Sequence, residues 1–202
     1  MSDLSQSQAI FATGLQAQEK QDISDLLLQA DVFASSAWDR KVHWQSWLDY
    51  HASRLKKHGC KVRATLINPP RFIDSEQALA EPFDLLVQGC EDSPLLVGML
   101  SDGLNQSGYL GFCRTFLRHG SGPGHLADFQ IVPCAKRADG DLSLLVCGLQ
   151  AKGLYTDDRR EVVLRLTGVE YSFDSRDYDA YRDEVKQHLV RYATQRIKHT
   201  DL

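Results

Sequence analysis

Long hydrophobic runs are missing from this sequence. The longest, residues 95–100, is far shorter than the roughly 20 apolar residues that a membrane-spanning helix requires. The first residues, MSDLSQSQAIF, lack both the basic segment and the apolar segment of a secretory signal. We therefore expect a soluble protein with no membrane span and a cytoplasmic location, although export by a route without such a signal is compatible with the sequence.

An excess of positive charge is also missing. The chain has 23 Lys and Arg residues against 27 Asp and Glu residues, a formal net charge of −4. Proteins that bind nucleic acid or anionic lipid through electrostatics need clustered positive charge. The basic residues here are scattered singly or in short groups, so we expect no nucleic-acid partner.

Closely spaced cysteine pairs are absent. The five cysteines are spread widely and include no CxxC motif, which favours reduced thiols over a disulfide framework. A metal site needs three or four convergent ligands, and no pair here has a recognised ligand spacing. We therefore predict no metal and no cofactor. The possible ligands closest together in sequence are Cys113, His119, His125, Asp128 and Cys134.

Hydrophobic periodicity predicts an α+β fold. Residues 1–15 are polar and are expected to be flexible, and residues 16–202 are expected to form a single domain. Helical patterns begin near Gln16, lie between Asp39 and Gly59, and cover residues 94–119 as two short helices. Additional short elements are expected at residues 61–68 (strand), 74–80 (helical turn) and 83–88 (strand).

The second half of the chain predicts an antiparallel sheet followed by a long helix. Residues 128–136, 142–151 and 161–173 have strand patterns, and the short joins between them favour antiparallel neighbours. A long helix capped by Ser175 closes the chain. The expected architecture is therefore a sheet of three or more antiparallel strands, packed by N-terminal helices and this C-terminal helix.

The C-terminal helix has two apolar stripes. A helix of this kind contacts more than one partner, such as its own sheet and either the N-terminal helices or another subunit. The main stripe also contains His188, and His51 lies at the centre of the apolar face of the earlier helix that carries Trp44 and Trp47. We expect these helices to meet through the two histidines, so that mild acid would weaken their packing. The main stripe consists of Tyr178, Tyr181, Val185, His188, Leu189 and Tyr192, and the second stripe of Val190, Ala193 and Ile197.

The stretch GFCRTFLRHGSGPGH, residues 111–125, contains the arrangement that most suggests catalysis. Cys113 lies in an apolar helical segment, and a thiol near a helix N-terminus is activated because backbone donors lower its pKa. The candidate site has Cys113 as nucleophile, His125 as base, Asp128 as the group that orients His125, and Gln106 as an oxyanion donor. The alternative is that Cys113 is a small buried hydrophobic residue, as free cysteines often are.

The glycine-containing loop of this stretch has two interpretations of its own. Phosphate-binding loops run from a strand into a helix, whereas this loop runs from a helix into a strand. Glycine commonly ends a helix, so we predict helix termination here. A mobile lid is the functional alternative.

The same segment resembles the surroundings of the nucleophile in papain-like cysteine proteases. Gln106 corresponds to the glutamine of that family's oxyanion hole, and Gly111 and Cys113 match the Gly-x-Cys pattern that opens its central helix, with an inserted residue between Gln and Cys. The family's histidine lies far downstream on a strand, whereas His188 and His199 here fall in the terminal helix pattern. The resemblance implies a nucleophile and an oxyanion donor without the family's base, so we do not assign the chain to the family.

Two functions from different classes follow. The first is a non-enzymatic binding or accessory protein that acts through protein–protein interaction or self-association, as a homo-oligomer or with a protein partner. The two-striped terminal helix favours it. The alternative is a cysteine-dependent hydrolase or acyltransferase, or a protein acylated on cysteine, with the chemistry at Cys113.

Overall fold

The computed structural model has the α+β architecture that the sequence predicts. It describes residues 5–80, 86–88, 93–120, 126–156 and 159–200. Within these residues the chain forms seven strands and six helices. The strands are β1 (Ser5–Phe11), β2 (Lys61–Ile67), β3 (Arg71–Ile73), β4 (Leu86–Gln88), β5 (Leu126–Lys136), β6 (Leu142–Thr156) and β7 (Arg159–Phe173). The helices are α1 (Ala17–Ala37), α2 (Trp44–Lys57), α3 (Glu76–Ala80), α4 (Pro94–Gln106), α5 (Tyr109–His119) and α6 (Ser175–Thr200).

These elements belong to two compact units. The sheet unit contains Met1–Ala12 and Val62–Tyr171, and the helical unit contains Thr13–Lys61 and Ser172–Leu202. Each unit is therefore built from two separate stretches of chain. Compactness alone does not define independent folding, so a single domain over residues 16–202 stays a prediction.

The strands form one sheet in the order β1-β5-β6-β7-β2-β4, with β3 also paired to β7. The predicted antiparallel pairing of β5 and β6 is confirmed, with Phe129 opposite Leu149. The described residues of β5 from Ala127 to Ala135 are all buried, as expected for a strand covered on both faces.

Strand β1 lies within the segment that was expected to be flexible. Its residues run parallel to β5, and Ile10 lies opposite Pro133. The strand begins with SQSQ, which offers no hydrophobic alternation for a sequence pattern to detect. Pairing with the main chain of β5 places these residues in the sheet, since backbone hydrogen bonds need no particular side chain.

The hydrophobic core of the sheet unit lies between one face of the sheet and the two helices α4 and α5. Leu100 of α4 and Phe116 of α5 are fully buried there, together with Phe129 of β5. Helix α5 ends at Gly120, whose φ of 64° is the left-handed conformation that glycine adopts readily. The predicted end of the helix at this glycine is confirmed.

In the helical unit, α1 packs against both α2 and α6. The buried side of α1 includes Ile23, Leu26 and Ala30. Its start is closed by a reciprocal capping box, in which the Gln16 backbone N–H donates to the Glu19 carboxylate at 2.7 Å.

Two predicted helix caps differ from the structure. Helix α2 begins at Trp44 rather than after Asp39, because Asp39 accepts a hydrogen bond from the Lys41 backbone N–H at 2.9 Å and forms a turn before the helix. At the start of α6, Asp174 rather than Ser175 accepts from the Arg176 backbone N–H, at 2.8 Å. In both cases a carboxylate competes for a nearby backbone donor.

Candidate functional site

Cys113 is a core residue of the sheet unit. It is the fifth residue of α5 and is 0% exposed. Burial in apolar surroundings raises the pKa of its thiol to about 12, because the charged thiolate loses its hydration. The thiol is therefore protonated at neutral pH in this conformation, which agrees with the predicted alternative of a small buried hydrophobic residue.

The Tyr109 phenol, four residues before Cys113 on the same helix, is electrostatically coupled to this thiol. Burial raises the pKa of Tyr109, negative charge at Cys113 raises it further, and Arg71 lowers it. Arg71 donates to the Ala78 carbonyl oxygen at 2.7 Å, at the end of α3. The surroundings of Cys113 thus lower the nucleophilicity of the thiol instead of activating it.

Two of the other predicted catalytic residues, Gln106 and Asp128, are in the described part of the chain and differ in exposure. Gln106 is exposed at the last residue of α4. Asp128 is 2% exposed on β5, where its neighbours Ala127 and Phe129 belong to the core that contains Cys113. Since side chains alternate along a strand, Asp128 points to the opposite face of the sheet from that core.

His125, the predicted base, lies outside the described residues, as does most of the glycine loop. The catalytic assignment of Cys113, His125, Asp128 and Gln106 therefore stays a prediction. Among the described residues no group of three or more His, Cys, Asp or Glu side chains could hold a metal ion. The four described cysteines, Cys60, Cys113, Cys134 and Cys147, are all buried.

The helical unit contains a buried polar contact that the sequence analysis did not identify. A buried ion pair joins α1 to α6, in which the Arg182 guanidinium donates to both oxygens of Asp22 at 2.8 and 2.9 Å. Gln18 adds a third hydrogen bond to Asp22 at 2.7 Å. Asp22 lies one residue before Ile23 and four residues before Leu26, and it shares the buried side of α1 with them.

The two histidines on apolar helix faces have different partners. His51 is stacked on Trp47 of its own helix, with ring centroids 5.2 Å apart. His188 on α6 lies 3.2 Å from the Gln29 side chain on α1 and packs edge-on against Phe33. His188 therefore contacts α1, and the stacking partner of His51 belongs to its own helix; that α2 and α6 meet through the two histidines stays a prediction.

The surface of the helical unit carries several large apolar side chains. Trp44 and Trp47 are core residues, as expected for their stripe, whereas Trp38 is 39% exposed. On α6, Val190 is 65% exposed and Ala193 is also exposed. These two residues belong to the predicted second stripe; the side chain of its third member, Ile197, lies outside the described side chains.

No family model matches the chain, and no curated protein matches it. Among solved structures it is similar to the Evf virulence factor, with 10% sequence identity over 95% of this chain and 80% of that chain, at a TM-score of 0.40. A likeness at this level supports no conclusion about activity. In the described part of the chain, none of the helices is both long and apolar enough to cross a membrane.

Proposed function

We propose that this protein is a non-enzymatic binding or accessory protein that acts through protein–protein contact, with self-association through α6 as its first mode. The observation that carries the proposal is the exposed second stripe of α6. Tyr178 and Val185 of the main stripe are buried, while Val190 and Ala193 of the second stripe are exposed. An apolar stripe that the helix's own unit does not bury is a typical feature of contact surfaces.

The state of the thiol supports this choice over cysteine chemistry. A nucleophilic cysteine needs a lowered pKa and access to substrate. Cys113 has a raised pKa and no exposed surface. Catalysis at Cys113 would require a conformation in which α5 opens, whereas contact through α6 requires none.

Sedimentation velocity over a range of protein concentrations tests the proposal. We expect the wild-type sedimentation coefficient to rise with concentration as dimers form, and Val190→Asp to remain monomeric because a buried unpaired carboxylate is costly. The matched control is Leu28→Asp on α1, which changes a residue that is 52% exposed in the same unit and should leave the association unchanged.

Two results contradict the proposal. The first is a wild-type protein that stays monomeric up to about 1 mM, where any remaining affinity is weaker than about −4 kcal/mol. The second is an association that Val190→Asp and Leu28→Asp weaken to the same extent, because the contact would then not be specific to α6.

A further inference from the structure

Arg54 on α2 has a guanidinium edge that is chemically incomplete. Its Nε and Nη2 atoms are buried and have no hydrogen-bond partner among the described residues. These two atoms form the edge that can hold a carboxylate through two parallel hydrogen bonds. Arg182 uses this edge for Asp22, at 2.8 and 2.9 Å, and Arg118 uses it for Glu76, at 2.6 and 2.8 Å.

The residues that contact Arg54 or the Phe33 ring beneath it come from all three helices of the helical unit. The Arg54 guanidinium lies over the Phe33 ring, with its Cζ atom 4.0 Å from the ring centroid. His188 packs against the same ring at 5.5 Å between centroids. His58 lies at the end of α2, with its Nδ1 atom 2.8 Å from the Arg54 carbonyl oxygen.

Two further buried polar atoms in this cluster lack a partner among the described residues. They are Nε2 of His58 and Oε1 of Gln29. Gln29 is fully buried and directs its Nε2 atom towards His188 Nδ1, at 3.2 Å. Rotating the amide by half a turn would let the His188 ring donate to Oε1, and the amide nitrogen would then be the unpaired atom. In either orientation one buried polar group of Gln29 remains to be satisfied.

The cluster reaches the surface through side chains that are only partly buried. Arg54, Phe33 and His188 are each half-buried rather than enclosed. The Glu184 carboxylate raises the pKa of His58, and the Lys57 amine lowers it. The Lys57 amine nitrogen lies 3.8 Å from the Glu184 carboxylate, so the two charges partly cancel. A buried cation without a hydrogen-bonded counter-charge is unfavourable, so an anion would complete this arrangement.

We propose that Arg54, with His58 and His188 beside it, binds an oxyanion that presents two oxygens to the Nε–Nη2 edge, namely a carboxylate or a phosphate ester group. The planar guanidinium matches both groups. The residues of the site belong to the half-buried surface of α1, α2 and α6, whereas the Nε–Nη2 edge itself is buried, so binding requires the Arg54 side chain to move outward. The site does not depend on self-association through the second stripe of α6.

NMR titration of the folded protein tests this site. Sodium phosphate and sodium acetate are the two probes, each exchanged for sodium chloride so that ionic strength stays constant. Two charge-assisted hydrogen bonds correspond to half-saturation at about 1 mM, so we expect the ring signals of His58 and His188 to shift saturably in that range. The pKa of His58 should rise in the bound state, because an anion favours the protonated ring. Saturation by phosphate alone indicates a phosphate ester as the natural ligand, by acetate alone a carboxylate, and by both a site open to either group.

Variants separate the site from general salt effects. Arg54→Met keeps an apolar stem on Phe33 and should abolish saturation, whereas Arg114→Met, at an exposed position of α5, should leave it unchanged. Arg54→Lys keeps the charge without the two-donor edge and should weaken binding at least about tenfold. If the Arg54→Met protein does not fold, Arg54→Lys decides the question.

Unfolding gives a second readout. At 100 mM phosphate and half-saturation at about 1 mM, the folded-to-unfolded ratio of the wild type should increase about 100-fold. The proposal is overturned if the ring signals shift linearly without saturation for both probes, as for an adventitious ion only, or if Arg54→Lys binds as tightly as the wild type.

Discussion

Replacing His51 by phenylalanine should make this protein less sensitive to acid. His51 is buried on α2, and its ring is stacked on Trp47 with an interplanar angle of 25°. Burial, and secondly the positive charge of Arg40, lower the pKa of His51 from 6.5 to about 3. The folded state therefore holds the ring neutral over a range in which the unfolded chain protonates it.

The direction and size of the effect follow from this difference. Below pH 6.5 the unfolded chain binds a proton at His51 that the folded state does not bind until about pH 3, so the free energy of unfolding falls as the pH falls. Each pKa unit corresponds to about 1.4 kcal/mol. His51 should therefore not lower the free energy of unfolding appreciably above pH 6.5. Between pH 7 and pH 5 it should lower that free energy by about 2 kcal/mol.

Urea unfolding at pH 7, 6 and 5 measures this loss. The free energy of unfolding of the wild type should fall by about 2 kcal/mol more than that of His51→Phe over this range. The pKa of His58 is also lowered by burial, but His58 acts alike in both proteins and drops out of the difference. His119→Gln, at an exposed position of α5, should keep the wild-type slope. Parallel pH dependences for wild type and His51→Phe would refute the reasoning.

Two predictions concern stability at neutral pH, and chemical denaturation checks both. Asp22→Asn should cost about 1–3 kcal/mol, because it removes the buried charge that accepts both hydrogen bonds of the Arg182 edge and leaves Arg182 paired only with the exposed Asp179, while the double variant Asp22→Leu/Arg182→Met should recover much of that loss. Gly153→Ala should cost about 1–3 kcal/mol, since its Cβ would lie 2.6 and 2.7 Å from two carbons of the buried Phe116 ring. Gly98→Ala, where a Cβ would meet no atom within 4 Å, should instead stabilise α4 by up to about 1 kcal/mol. Equal effects of the two glycine substitutions would contradict the packing explanation.

The elements that a local pattern specifies could be predicted from the sequence. Gly59 and Gly120 both have the left-handed conformation at the helix ends where glycine predicted it. The strands β5, β6 and β7 were predicted because apolar residues occupy most of their length. These signals depend on neighbours in the sequence, and tertiary contacts reinforce them without reversing them.

The features that depend on distant partners could not be predicted in the same way. Strand β1 pairs with β5, more than one hundred residues later in the chain, and its polar start gives no local sign of this pairing. Asp22 and Gln29 are polar residues on the buried side of α1, where only the positions of Arg182 and His188 on α6 explain them. For the candidate site, the sequence identified Cys113 but did not decide whether it is a nucleophile or a core residue. Burial, which decides the thiol pKa, depends on the packing of α5 against the sheet.

Thiol reactivity of the folded protein tests most directly the claim that Cys113 is a core residue and not a nucleophile. Iodoacetamide labelling across a range of pH, with mass spectrometry to identify the modified cysteine, measures it. We expect Cys113 to remain unlabelled until denaturant is added, as should the buried Cys60, Cys134 and Cys147. Rapid labelling of Cys113 in the folded protein, with an apparent pKa well below the value of about 8.5 for a free thiol, would contradict the account and would favour cysteine-dependent chemistry at residues 111–125.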